Sequence, residues 1–203
     1  MARRKDPQAV FLNVPYDPQF EDLYLAYIVG LTQLGLRINA TLAVPNQGRL
    51  DRIINLIEES DFSIHDLSRI ETTSGIPRFN MPLELGLALY RSHITKGRHR
   101  IFVFEKEPYR VQQSTSDVSG IDAQIHNGKP KGVMAGLRNI FCQADETTVP
   151  EMLESYRAVK LKLPELRRNA GGKSLFEASV FQDLIVAALF ERRKIINQRG
   201  RLD

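Results

Sequence analysis

Val10-Phe11-Leu12-Asn13-Val14-Pro15-Tyr16-Asp17-Pro18 decides how the rest of the chain is read. Five residues of strand length and apolar character run straight into a turn bracketed by two prolines. Residues 19–34 then take up helical spacing, with Phe20, Leu23, Tyr24, Tyr27, Ile28, Leu31 and Leu34 on one stripe. Gly35 is a good C-terminal stop. A strand, a turn and an amphipathic helix in that order open a β-α-β unit, and the following segments repeat it.

Leu36 to Leu42 reads as a second strand, and Arg49 to Ser60 as a helix with Leu50, Ile53, Ile54 and Ile57 on one face. Asp61 to Leu67 reads as a third strand. A loop of turn formers, Ser68 to Phe79, leads into a helix over about Pro82 to Ser92, where proline is tolerated in the first turn. Arg100 to Glu105 is a fourth strand. Strands alternating with helices imply a parallel sheet with helices on both faces. The expected fold is α/β, a three-layer parallel sheet of order about 2-1-3-4-5. Residues 106–135 are polar and hard to assign, and Leu137 to Cys142 is a fifth strand or part of a helix. From Pro150 onward two apolar stripes separated by Asn169-Ala170-Gly171-Gly172 predict a C-terminal α-hairpin. The expected division is a basic tail over 1–9, a domain over 10–149, and a helical extension over 150–203 packed on that domain or on a partner subunit.

Composition narrows the class. Of 203 residues, 42% are hydrophobic and 26% charged, ordinary values for a globular protein. No apolar run approaches the ~18–20 residues of a membrane span, and no long apolar stretch follows the basic N-terminus as in a secretory signal. A single cysteine, Cys142, excludes an internal disulfide and a cysteine-based zinc site and points to the cytoplasm. The net charge of +4 lies wholly in residues 150–203, which carry 11 Lys+Arg and 7 Asp+Glu. A basic helix end is usually a solvated face. Without stacking aromatics or a recognisable module it argues against nucleic-acid binding.

In open parallel sheets ligands bind beyond the carboxyl ends of the strands, where strand order reverses. For order 2-1-3-4-5 that crevice lies between strands one and three. After strand one come Asn13, Pro15, Tyr16 and Asp17; after strand three come Asp66, Ser68 and Arg69; the next loop and helix supply Arg78, Asn80 and Glu84. The unusual polar residues thus converge on one edge. Glu84 is expected on the first turn of its helix, where the dipole favours its ionised form. A carboxylate there can stabilise or trap the oxocarbenium-like state of glycosidic cleavage. Nicotinamide departs neutral and needs no general acid, so one Glu suffices. Asp66 either orients the ribose or that Glu, or caps the polar loop at Ser68. The glycine-rich dinucleotide fingerprint, the P-loop and the serine-hydrolase elbow are absent, so phosphates must be met by helix N-termini, arginines and hydroxyls. No histidines have metal-ligand spacing. His65, in an alternating strand, reads as structural, and His93, His99 and His126 as surface or loop residues.

These residues carry a resemblance. Phe11-Leu12-Asn13-Val14-Pro15-Tyr16-Asp17 resembles the opening strand and loop of TIR domains. Arg78-Phe79-Asn80-Met81-Pro82-Leu83-Glu84-Leu85-Gly86 looks like the Arg-x-Asn-x-x-x-Glu-Leu-Gly segment of bacterial TIR-like predicted nucleotide-binding proteins, and its Glu-Leu-Gly core is similar to that of nucleoside 2-deoxyribosyltransferases. Ser116-Asp117-Val118-Ser119-Gly120-Ile121 resembles the Ser-Asp-Leu-x-Gly segment of the TIR-like group. The resemblance covers about residues 10–122. It implies a flavodoxin-like fold with a nucleotide in the crevice, Ser116 and Asp117 among its contacts, and a catalytic helix Glu, here Glu84, acting on an N-glycosidic bond. No cofactor is implied; NAD or a related nucleotide is the substrate or ligand. The deoxyribosyltransferase pattern has an Asp about six residues before its Glu, where this chain has Arg78, which argues for a more anionic ligand.

Four readings follow. The first is a glycosidase acting on NAD or a related nucleotide, in bacterial stress or phage defence. The second is a nucleotide sensor without chemistry. The third is an interaction module, with homo-oligomers formed through the C-terminal helices. A nucleoside deoxyribosyltransferase is a minor fourth.

Overall fold

The structure, a computed structural model, describes residues 7–43, 48–70, 78–110, 120–141, 147–171 and 174–199. Ser116, Asp117 and Cys142 lie outside the described residues. Strand β1 (Ala9–Asn13) leads through a 3-10 turn (Pro18–Phe20) to helix α1 (Glu21–Gln33). There follow β2 (Arg37–Asn39), α2 (Arg49–Glu58), β3 (Phe62–Asp66), α3 (Asn80–Ile94), β4 (Arg100–Glu105) and β5 (Gln124–Ile125). Helices α4 (Pro130–Ile140), α5 (Val149–Asn169) and α6 (Ala178–Arg199) complete the chain.

The five strands form one parallel sheet of order β2-β1-β3-β4-β5, a flavodoxin-like α/β fold. Register places Phe11 beside Ser63 and Asn13 beside His65. Side chains alternate across a strand, so Val10 and Leu12 join α1 and α4 on one face, while Phe11 packs with Ile53, Leu56, Ile57 and Ala88 of α2 and α3 on the other. Every residue of β1 and of β3 is buried, as strands covered on both faces must be.

Leu23 to Gln33 of α1 are buried without exception. A helix buried all round needs cover on its outer side as well as on the sheet. Helices α5 and α6 supply it: Met152, Tyr156, Val159, Val180, Phe181 and Leu184 belong to the same apolar core as α1. They lay a fourth layer over the three expected, so the extension packs on its own domain. Arg192 of α6 donates to the carbonyl of Gln33 at 3.0 Å, and Thr147 donates to the same oxygen at 3.3 Å, satisfying the end of α1.

Several boundaries differ from expectation. The second strand is three residues long, because Thr41–Ala43 turn into a 3-10 segment. The fifth strand is Gln124–Ile125, within the stretch that resisted assignment, and Leu137–Ile140 belong to α4. Two residues are too few to show a period of two. His99 and His126 are buried, not surface residues. His99 bridges Ser60 and Ser63, donating from Nδ1 to the Ser60 carbonyl at 2.9 Å and accepting from the Ser63 hydroxyl at 2.8 Å.

Candidate functional site

A cavity of about 320 Å³ opens at the carboxyl end of β1. Asn13, Val14, Pro15 and Tyr16 come to it from β1 and its turn; Arg78, Asn80, Met81 and Glu84 come from the start of α3. Thr41 and Arg49 complete it from the second β-α connection. Six of the residues expected at this edge, Asn13, Pro15, Tyr16, Arg78, Asn80 and Glu84, therefore meet around one space.

Glu84 is 4% exposed. Helix α3 begins at Asn80, so Glu84 sits on the second turn and no acid occupies the first. The expected help from the helix dipole is therefore lost, since that effect falls off within the first turn. Burial instead pushes the Glu84 carboxyl up to about 7, against the Arg49 guanidinium and a hydrogen bond from the Asn80 side chain, which favour the anion. The expectation of a simply ionised Glu84 is thus corrected: near neutral pH it exists in both forms. Tyr16, whose hydroxyl lies 3.5 Å from Thr41 Oγ1, is pushed up to about 12 by burial, and the Glu84 charge adds to the rise. It stays a neutral phenol beside the carboxyl.

Asn13 braces the floor. Its Nδ2 donates to His65 Nδ1 at 3.0 Å and to the Met81 carbonyl at 3.3 Å. That bond makes His65 Nδ1 the acceptor and leaves the proton on Nε2, which is buried without a hydrogen-bond partner among the described residues. Burial, with a contribution from His99, lowers the His65 pKa to about 3, so the ring is neutral, as a structural histidine.

Asp17 does not line the cavity; it holds a residue that does. Its Oδ2 accepts from Arg69 Nε and from Arg78 Nη1, each at 2.8 Å, while Oδ1 accepts from the Gln19 amide at 3.0 Å and caps the 3-10 turn. Burial raises the Asp17 pKa, but the two guanidiniums outweigh it and hold the carboxyl below its usual range. Arg78 is thereby fixed at the rim, and Arg69 serves from behind.

Asp66 and Ser68 lie outside the lining of this cavity. Asp66 is fully buried on the other face of the sheet, where Oδ2 accepts from the Tyr27 hydroxyl at 2.7 Å. Its Oδ1 accepts from the Ser68 amide at 3.0 Å and hydroxyl at 2.5 Å. His126 Nε2 lies 3.2 Å from Asp66 Oδ2 but too poorly aligned to count as a hydrogen bond. Of the two readings of Asp66, the geometry matches the loop cap; it cannot orient Glu84 through direct contact. Its position as the last residue of β3 put it at the right edge, but strand alternation turned it to the α1 face.

Thr41 and Arg49 were not singled out in the sequence. Arg49 is the first residue of α2 and is exposed, so sequence reading treats it as a solvated charge. The available signal was positional: the second β-α connection also ends at the carboxyl edge of the sheet. Among the described residues no group of three or more His, Cys, Asp or Glu is placed to hold a metal, and no helix is long and apolar enough to cross a membrane. No family model and no curated protein matches the chain.

Proposed function

We propose that this chain binds a nucleotide in the cavity at the end of β1 and that Glu84 cleaves its N-glycosidic bond, with NAD or a related nucleotide as substrate. The observation that carries this reading is the Glu84 carboxyl: buried, raised to about 7, and lining a cavity with two arginines on its wall. The volume is at the small end for ligand pockets, roughly 300–1,000 Å³, and suits a ribose with its base. Arg49 and Arg78 offer phosphates two guanidiniums.

In the reaction the ionised Glu84 faces the anomeric carbon. The C–N bond breaks, and its electron pair neutralises the pyridinium nitrogen as nicotinamide leaves. Glu84 balances or captures the oxocarbenium-like carbon. Water then forms the new C–O bond, displacing the Glu84 carboxylate where it had captured the carbon, and gives up its proton to Glu84 or to solvent. A cationic substrate lowers the pKa of a nearby carboxyl, so binding NAD favours the anion that the step uses.

A second reading, a nucleotide sensor without turnover, is favoured by one observation: Glu84 is the lone carboxylate among the described residues that line the cavity. Incubating concentrated protein with NAD and resolving the products chromatographically separates the two. Nicotinamide release by the wild type and its loss in Glu84→Gln, by roughly 100-fold or more, is the expected result. No release from either protein, with NAD still raising the melting temperature, would assign the cavity to sensing.

A further inference from the structure

Helix α6 carries a seam that reads alike in both directions and is exposed except at the half-buried Asp183. Ser179, Asp183, Val186, Phe190, Arg193 and Asn197 follow one another at intervals of 4, 3, 4, 3 and 4 residues. This alternation keeps six side chains on one stripe of a helix. The opposite face, from Val180 through Leu184 and Ala188 to Ile195, is buried in the core. Val186 and Phe190 are 65% and 52% exposed at the middle of the seam. Asp183 and Arg193 flank them and have no ion-pair partner among the described residues. Ten residues separate the two charges, about 15 Å of helix, so they cannot pair within one chain.

We propose that two copies of this chain associate through α6, antiparallel across a two-fold axis at the level of residue 188. In that register Phe190 meets the partner's Val186, Asp183 meets the partner's Arg193, and Ser179 meets the partner's Asn197, each pair made twice. An apolar centre flanked by opposite charges in mirror order is what an isologous contact requires. The occupant is a second copy because the seam is its own complement, in both spacing and charge. Lys162 and Lys194 accompany Phe190 into this contact. Their ammonium groups lie over the Phe190 ring, 4.9 and 4.6 Å from its centroid, and both bond Glu191, whose carboxylate offsets part of their charge. The residue facing Lys194 in this register is Gln182, which is neutral.

Sedimentation equilibrium of the full chain tests the seam. The wild type is expected to dimerise at tens of micromolar, about the range of a modest interface. Asp183→Arg and Arg193→Asp, each of which sets like charges face to face, are expected to weaken the dimer by about tenfold or more. The double variant Asp183→Arg/Arg193→Asp is expected to restore it to within about threefold. A wild type that stays monomeric at about 100 μM, or a double variant no stronger than the singles, overturns the proposal. Should a charge variant melt abnormally, Val186→Cys/Phe190→Cys gives an independent reading. Oxidation cross-links it into dimers on a non-reducing gel if the register is right, and leaves monomers if α6 engages a different protein or nothing.

Discussion

Glu84 is held near its ionisation midpoint by two opposing effects, and each can be tested at the residue. Burial sets the pKa at about 7, while Arg49 pulls it down. Because the reaction uses the anion, NAD cleavage should rise with pH through this region, and Arg49→Ala should move the midpoint of the pH–rate profile to higher pH; an unmoved midpoint would show that another group controls the profile. The same shift has a cost in stability. The folded-state pKa of Glu84 lies above its ordinary value of 4.5, so between the two the folded chain holds more protons than the unfolded one. Stability therefore falls as pH rises from about 4.5 through about 7. Glu84→Gln escapes this loss, and its advantage over the wild type should grow between pH 5 and 8 by up to about 3 kcal/mol, read from urea midpoints. Most of this site was legible from the strand-end rule alone, which named six of the lining residues. The rest was not: Arg49 looks like any surface arginine until α2 is placed, and Asp66 differs from a site residue only in which face of β3 it occupies.

At the scale of elements, close approach decides what packs. Helix α4 lies on the sheet through Gly136, where an added Cβ would stand 2.6 Å from Phe104 Cε1 and 3.1 Å from Gln124 Cβ. Phe104 is fully buried and holds Tyr27 edge to face at 5.3 Å between centroids, so the ring has no room to yield. Gly136→Ala should destabilise the fold by about 1–3 kcal/mol, seen as a lower urea midpoint with an unchanged slope. A neutral outcome would mean that α4 shifts on the sheet at little cost. The glycine gave no such signal in sequence, since it falls between the unassigned stretch 106–135 and the segment from Leu137 read as strand or helix. Long, strongly patterned elements were legible in part: on α2 Ile53 and Ile57 of the predicted face are buried, but Leu50 is exposed, Ile54 is half-buried and Leu56 is buried beside them. The two-residue β5 was not, because a strand that short is defined by its hydrogen bonds to β4 and not by its own sequence. The start of α5 did carry a usable signal, a Thr148-x-x-Glu151 capping box in which the Glu151 carboxylate accepts from the Thr148 amide at 2.6 Å.

For the whole molecule, the decisive question is whether α5 and α6 are an appendage or part of the core. Sequence reading divides the chain near residue 149, because the composition turns helical and basic there. In the structure α1 has no exposed residue from Leu23 to Gln33 and draws its outer cover from the C-terminal helices, so of the two packings expected for the extension the helices take the one on their own domain. The sequence held a trace of this. Leu25, Ala26 and Val29 lie off the predicted stripe of α1, yet they are apolar, and a helix that faced solvent there would carry polar residues instead. The expected consequence is a single cooperative unit. A chain ending after Thr147 would expose a helix side that is wholly apolar, and each large side chain left in water forfeits about 1.5–3 kcal/mol, against a total stability of about 5–15 kcal/mol. Such a fragment is expected to be aggregated or molten, with no dispersed amide spectrum and no cooperative melt, although it keeps every residue of the cavity. The intact chain should unfold in one transition whether α5, α6 or the sheet is monitored. A truncated protein that melts cooperatively and still binds nucleotide would instead return the boundary to residue 149 and make α5 and α6 a detachable layer.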